Sequence, residues 1–289
     1  MTSTSKPPAP NRVRYRWSPR DALAELRRSR GLIRHLIGRE IRTKYAGSLL
    51  GWFWALVNPL ASLIVYTLVF GVFLRTDPPI APDGFESFAH FLFSGLVVWN
   101  LFSASSLGAM EAFRESMVLR KRVYFPPECP IIARTAVALL ESAVEVLVLF
   151  GAFLLAGHVS WTFLFMFLLM PLTALFGVGV GMGLSVLNAR FRDVSYLYSV
   201  VLRFLFFLTP IIYPMSLLEG REAIGSITYD QLIKLNPMTW YVGVAREATY
   251  MLEVPSLRSM AVVLVSSIVV LLGGWWIFST RAPDVSEGQ

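Results

Sequence analysis

Six long apolar stretches alternate with polar segments along the chain. Each stretch is close to the ~20 residues that a helix needs to cross the hydrocarbon core of a bilayer. Because that core offers no water to unpaired backbone groups, the stretches are predicted to be helices. The predicted spans are Leu49–Leu74, Phe88–Met110, Ile131–Ala156, Trp161–Leu187, Tyr196–Pro214 and Leu257–Ser279. We therefore expect an all-α integral membrane protein with six transmembrane helices.

The charge of the connecting segments alternates in sign. The first 48 residues contain 12 Lys and Arg against 3 Asp and Glu, and segments 111–130 and 188–195 add further basic residues. Segments 75–87 and 215–256 contain more acidic than basic residues. Since basic loops stay in the cytoplasm, this alternation predicts a multi-pass protein of the cell inner membrane with both termini inside. Most of the net charge of +7 then lies beside lipid headgroups, so it does not indicate a nucleic-acid partner.

The N-terminal segment divides into two parts. Residues 1–17 are rich in Ser, Thr, Pro and Arg, which predicts a disordered cytoplasmic tail. Residues 18–46 open with Ser18-Pro19, a typical helix start, and continue with apolar residues at helical spacing between arginines. This pattern favours an amphipathic interface helix, while a plain basic flank of the first span remains the alternative. A transmembrane domain is expected over 47–281 and a cytoplasmic tail over 282–289.

Glycine and proline mark two features of the predicted spans. Pro59 in the first span predicts a bend, because proline removes a backbone donor and crowds the preceding turn. In the fourth span, alternate positions are glycine, which predicts close helix packing. These glycines are Gly177, Gly179, Gly181 and Gly183.

The segment 215–256 is partly apolar, yet none of its pieces is long enough to cross a bilayer. We predict two short re-entrant helices on either side of Asn236-Pro237. Irregular backbone at membrane depth is tolerated only against protein or a water-filled cavity. The segment is therefore expected to cap a hydrated space, with Asn236, Pro237, Trp240 and Tyr241 as outer gate residues.

The third and fifth predicted spans contain four charged residues. Arg134, Glu141 and Glu145 follow one another at spacings of 7 and 4, which puts them on one helical face. Arg203 in the fifth span lies at a similar depth to Glu141, ~12 against ~15 Å from the cytoplasmic end. A lone charge at mid-membrane costs ~2.5–3.5 kcal/mol or more, so we predict an intramembrane ion pair of Glu141 and Arg203, with Glu145 in the same network. The pair either fixes two helices or leaves Arg203 facing a lumen and an anionic substrate group.

Aromatic side chains suggest a path for a sugar polymer. Tyr196, Arg203 and Phe207 share a face of the fifth span, and sugar C–H faces pack on aromatic rings. Tryptophans near span ends, in contrast, are typical of the membrane interface. The predicted path residues are Trp52, Tyr66, Tyr196, Arg203, Phe207 and Tyr213.

No nucleotide-binding loop of the Gly-x-x-x-x-Gly-Lys-Ser/Thr type and no catalytic triad are present in the sequence. His35, His90 and His158 are scattered, and Cys129 is the single cysteine, so no metal site is indicated. We therefore expect a chain that binds no cofactor and is not catalytic alone.

Four motifs resemble the ABC-2 type permeases, and within them the Wzm/TagG branch that exports lipid-linked polysaccharide such as O-antigen, teichoic acid or galactan. The resemblance covers nearly the whole chain, from about Asp21 to Arg281. The motifs are residues 39–54 followed by Asn58-Pro59-Leu60, residues 188–193, residues 209–214 and residues 235–238.

The resemblance implies a homodimer of permeases with two separate ATPase subunits, which bind the ATP and Mg. It also implies a coupling helix after the second span, in a coupling loop at 111–130, that contacts the ATPase. Without the family, this region reads equally as a solvated basic loop. The implied coupling residues are Phe113, Arg114, Glu115, Met117, Val118, Arg120, Lys121, Arg122, Tyr124 and Phe125.

The cargo implied by the resemblance is a glycan on a lipid pyrophosphate. Guanidinium groups at the cytoplasmic entrance suit phosphate, although basic residues there also satisfy the positive-inside rule without any ligand. An ABC-2 exporter of drugs or small lipids is the alternative, and a multispanning glycosyl- or acyltransferase is a further one. The entrance residues are Arg39, Arg42, Lys44, Arg190 and Arg192.

Overall fold

The computed structural model describes residues 19–48, 51–74, 78–120, 125–191, 193–218, 220, 222–224 and 227–287. For residues 19–23, 45, 52, 118–120, 222–224, 227 and 283–287 it describes the backbone and not the side chain. Helices dominate these residues, and the predicted all-α class is confirmed. One short antiparallel hairpin, β1 (Glu222–Ile224) with β2 (Ile227–Thr228), was not predicted.

The helices follow the apolar stretches closely. They are α1 (Pro19–Arg28), α2 (Arg30–Tyr45), α3 (Trp54–Tyr66), α4 (Phe88–Arg120), α5 (Glu128–Leu155), α6 (Phe165–Arg190), α7 (Val194–Leu208), α8 (Tyr229–Lys234), α9 (Pro237–Thr249) and α10 (Leu257–Glu287). Short 3-10 turns at Gly51–Phe53 and Trp161–Leu164 lead into α3 and α6, and a third spans Met215–Leu217. A π-helical stretch, Thr67–Phe73, continues α3.

Among the described residues, five helical segments are long and apolar enough to cross a membrane. The sixth predicted span, Tyr196–Pro214, contains α7, which has 15 residues and a length of ~22 Å, less than the ~30 Å core. Thr209 ends α7 in an extended conformation because Pro210 follows it, and a residue before proline is pushed out of the helical region. The chain is an integral membrane protein, with five long helices and one short apolar helix in its described part.

Helix α6 packs between α4 and α10 through its glycines, as predicted. A Cβ atom at Gly177 would lie 2.9 Å from the Phe102 carbonyl oxygen of α4, and one at Gly179 would lie 2.6 Å from the Leu271 nitrogen of α10. These distances leave no room for any side chain. The three helices therefore meet backbone to backbone, which is the packing that small residues permit in membranes.

The segment between α7 and α10 is folded onto this helix block. Helices α8 and α9 flank Asn236-Pro237, as predicted. Tyr241 of α9 is fully buried, and its hydroxyl donates to the Val263 carbonyl of α10 at 3.0 Å. Arg246 of α9 is also buried, with its guanidinium 3.6 Å from the centre of the Phe91 ring.

Arg246 donates hydrogen bonds to the carbonyls of Phe91, Pro210 and Ile211. It thereby joins the start of α4 to the chain that leaves α7. Burial lowers the pKa of this guanidinium to about 9, and the group still carries its charge at neutral pH. One side chain thus supplies hydrogen bonds to carbonyls of two separate parts of the chain.

We predict that Arg246→Met lowers the thermal midpoint of the permease in lipid nanodiscs by at least ~5 °C. The variant removes three hydrogen bonds from a buried charged donor, and hydrogen bonds to charged groups contribute ~1.5–3 kcal/mol each. Arg258→Met is the matched control, because Arg258 is exposed at the start of α10. Equal midpoints for Arg246→Met and the native chain would contradict this role.

Candidate translocation path and coupling surface

Arg134 of α5 joins three helices near the predicted cytoplasmic side. Its Nε lies 3.0 Å from Glu40 Oε2 of α2, and its Nη2 lies 2.8 Å from Glu115 Oε2 of α4. Gly108 of α4 makes room for it, since a Cβ there would lie 2.9 Å from Arg134 Cγ. The basic helix α2 is thereby tied to the segment of α4 that the sequence assigns to coupling.

Glu141 pairs with Lys44 at the end of α2, with 2.6 Å between Nζ and Oε1, and not with Arg203 as predicted. Glu145 accepts from the Asn100 amide of α4 at 3.2 Å. The predicted ion pair is absent among the described residues because α7 packs on α4 and α6, whereas α2 packs along α5. Matching depths did not reveal which helices are neighbours. The shared face of Arg134 and Glu141 is present, and it faces α2.

Helix α7 presents an exposed face that carries three of the predicted path residues. Tyr196 is 73% exposed and Phe207 is 65% exposed, and Arg203 between them is exposed as well. Arg203 makes no ion pair with any described residue. On the opposite side of the helix, Leu202 is buried. We call this face, which consists of Tyr196, Arg203 and Phe207, the α7 path face.

The remaining path residues are less accessible. Tyr213 folds back on α7 and donates its hydroxyl to the Phe207 carbonyl at 3.0 Å. Tyr66 is partly buried, with its ring 6.4 Å from that of Phe70. For Trp52 the structure describes the backbone, within the 3-10 turn that leads into α3.

The coupling segment begins as a continuation of α4, which extends ten residues beyond the predicted end of the second span at Met110. Phe113 is buried, with its ring 4.9 Å from that of Phe278 in α10. Phe125 is buried as well, and Met117 packs partly buried against the same cluster as Phe113. These three implied anchors therefore pack within the protomer, where the end of α4 and α10 share an apolar cluster.

The polar coupling residues are more accessible. Glu115 is 51% exposed although it pairs with Arg134, and Arg114 is half-buried. Val118 and Arg120 lie in the last turn of α4, where the backbone is described. Lys121, Arg122 and Tyr124 lie outside the described residues.

The predicted entrance cations differ in their engagement. Arg39 pairs loosely with Glu40 at 3.4 Å, and Arg42 donates to the Gly38 carbonyl at 3.1 Å. The Arg190 guanidinium lies 5.6 Å from the centre of the Phe191 ring. These three arginines are exposed, whereas Lys44 is held by Glu141. Arg192 lies outside the described residues.

The predicted gate residues fix the outer segment in place. Asn236 caps α9 by accepting from the Met238 amide at 3.1 Å, and its own amide donates to Thr209 Oγ1 at 2.8 Å. Pro237 is the first residue of α9. Trp240 donates to the Lys234 carbonyl of α8 at 2.9 Å, and Tyr241 is buried against α10. Asn236 thus links the start of α9 to the end of α7.

Sequence reasoning missed a second polar cluster near α9. The ring nitrogens of His158 lie 2.7 Å from Asp83 Oδ2 and 2.7 Å from the Tyr250 carbonyl oxygen, and Phe85 stacks on the ring. The Phe85 N–H donates to Asp83 and, together with His158, holds the pKa of that carboxyl below its usual value. Arg246 was missed as well, although an arginine inside an apolar run is a recognisable signal. No sequence signal links Asp83 to a histidine 75 residues away.

Comparison with known proteins identifies relatives that match most of the chain. It is 27% identical over 266 residues to the O-antigen export system permease protein RfbA of Myxococcus xanthus, covering 91% of this chain and 97% of that protein. It is 29% identical over 255 residues to the polysialic acid transport protein KpsM of Escherichia coli, covering 84% and 90%. The family model described as ABC-2 type transporter matches residues 31–250. The chain therefore belongs to the ABC-2 type transporter family.

Proposed function

We propose that this chain is the permease subunit of an exporter that moves lipid-linked polysaccharide across the cytoplasmic membrane. It works as a homodimer with two separate ATPase subunits, and these subunits bind ATP and Mg²⁺. The observation that carries the proposal is the α7 path face, on a chain that aligns along almost its full length with an O-antigen export permease. Both termini face the cytoplasm, in keeping with the basic segments.

The α7 path face calls for a polar or aromatic environment outside this protomer. An arginine facing hydrocarbon costs ~2.5–3.5 kcal/mol or more, so Arg203 is best placed against water or an anionic group. A second copy of the chain that presents the same face would enclose a lumen lined by Tyr196 and Phe207. Sugar rings pack on such aromatic faces with weak repeated contacts, which allows a polymer to pass.

The ATPase subunits act on the end of α4 and the segment that follows it. Closure on nucleotide shifts this end, and Glu115 passes the movement to Arg134 and from there to Glu40 of α2. Because α3 is the next long helix after α2 along the chain, the movement reaches the first span. At the cytoplasmic entrance, Arg39, Arg42 and Arg190, with Arg192 from the sequence, receive the lipid pyrophosphate through guanidinium–phosphate contacts.

We expect the permease to co-purify with a cassette ATPase encoded beside it, and ATP-dependent export of lipid-linked glycan into vesicles to require both proteins. The reason is that the permease sequence has no nucleotide-binding loop. Export is measured by protection of labelled glycan in inverted vesicles. Movement of drugs or small lipids, and not of glycan, by the same complex would contradict the polysaccharide assignment.

We predict that Arg203→Gln lowers glycan export at least ~10-fold while the complex still assembles, because the lumen loses its cation. Arg203→Lys keeps the charge and should retain more of the export rate than Arg203→Gln. Export is compared at equal amounts of complex. Full export by Arg203→Gln would show that the α7 path face does not meet an anionic group.

We predict that Arg134→Gln uncouples the two activities. ATP turnover of the complex should stay within about twofold of native, whereas export should fall at least ~10-fold, because α4 and α2 lose their shared ion-pair partner. Arg281→Gln is the control, since Arg281 is exposed on α10 and pairs with none of the described acidic residues. A proportional loss of turnover and export would indicate a defect in assembly and would contradict uncoupling.

A further inference from the structure

A polar cavity of about 260 Å³ lies between the end of α2, the first half of α3 and the middle of α5. It is distinct from the α7 path face, because α7 packs on α4 and α6. Residues of all three helices contribute to its wall. Its lining residues are Lys44, Ser48, Trp54, Ala55, Asn58, Pro59, Glu141 and Glu145.

The described lining residues are rich in hydrogen-bond acceptors and carry no surplus positive charge. The lining has two carboxyl groups, those of Glu141 and Glu145, and one ammonium group, that of Lys44. The Lys44 Nζ already pairs with Glu141 Oε1 at 2.6 Å. Glu145 is bonded by the Asn100 amide and by no cation among the described residues. Such a wall disfavours phosphate, which needs free cations, and favours a neutral ligand that carries several hydroxyl donors.

One side of the cavity is apolar and aromatic. Trp54, which is 43% exposed overall, lines the cavity together with Ala55 and Pro59. An aromatic ring beside carboxylate and amide groups matches the two faces of a sugar, whose C–H bonds pack on the ring while its hydroxyls bind the polar groups. The volume is just below the ~300 Å³ at which drug-sized sites begin, and it therefore suits one sugar ring.

We propose that this cavity is a saccharide subsite that binds a single sugar unit of the cargo at the first span. This inference rests on the proposed function, because export of a glycan is what brings sugar units to the cavity. It reassigns Lys44 from phosphate recognition to the support of Glu141. The stack on Trp54 and the acceptors Glu141, Glu145 and Asn58 recognise the ring, while the pyrophosphate stays with the exposed arginines of the entrance.

The test is saturation-transfer NMR on the full-length permease in lipid nanodiscs prepared without sugar-based detergent. The probes are free galactose, glucose and mannose, each measured alone. We expect at least one of them to receive saturation from the native protein, and binding to weaken roughly fivefold in Trp54→Ala and in Glu145→Gln. Trp54→Phe keeps an aromatic ring and should retain most of the signal.

Two control variants separate a local effect from a general one. Trp161→Ala removes a comparably exposed tryptophan from the turn before α6, and Glu253→Gln removes an exposed carboxylate outside the cavity. Both should bind the sugar as the native chain does, and inorganic phosphate should not displace it. The proposal is overturned if no sugar binds the native chain, if Trp54→Ala binds as well as native, or if phosphate competes.

This measurement needs neither the ATPase nor nucleotide, so its outcome is independent of the export assay. Absence of sugar binding together with ATP-driven glycan export would remove the subsite and leave the proposed function intact. Sugar binding without glycan export by the complex would instead overturn the proposed function.

Discussion

The high cost of an unpaired charge in a low-dielectric environment organises the part of this protein where α2, α4 and α5 meet. Helix α5 carries Arg134, Glu141 and Glu145 along one face, and each of them contacts a polar group of another helix. Arg134 pairs with Glu40 and Glu115, Glu141 pairs with Lys44, and Glu145 accepts from Asn100. Without these partners the face could not be buried. The pairing holds α2 along α5 and so fixes where the first span begins.

A second set of polar contacts organises the region around the outer segment. Arg246 supplies donors to carbonyls from two parts of the chain, and Tyr250 accepts from the Ser87 amide while donating to the Pro79 carbonyl. His158 adds a contact to Asp83 and to the Tyr250 backbone. The segment between α7 and α10 is thereby a fixed part of the protomer, although its composition is mixed and its helices are short.

Much of the fold follows from the sequence because membrane helices are specified by length and hydropathy. The glycine pattern of α6 predicted close packing, and the spacing of Arg134 and Glu141 predicted a common face. What failed was the choice of partner. Glu141 was assigned to Arg203 because the two residues lie at similar depths in the membrane. Depth does not tell which helices are neighbours, and that arrangement depends on packing that the periodicity of the sequence does not reveal. The sequence also did not show that Phe113 packs on Phe278 within the protomer, since an amphipathic turn does not tell whether its apolar side meets this chain or another.

The α7 path face shows where sequence reasoning was stronger. Three residues at spacings of 7 and 4 were expected on one side of the helix, and all three are exposed together. Helical geometry determines that the three residues share a face, whereas the packing of α7 determines that this face is exposed.

The backbone contacts of α6 with α4 and α10 hold these three helices close together. At Gly177 and Gly179 there is no side chain that could change rotamer and absorb a displacement, so these three helices keep a constant spacing. In the first candidate span, Trp54–Phe73, only 6% of the most apolar 18 residues are buried within the protomer. The corresponding share in Phe88–Met117 is 78%. Trp54–Phe73 is therefore the candidate span least enclosed by the rest of the protomer, whereas α4, α6 and α10 are joined by close backbone contacts.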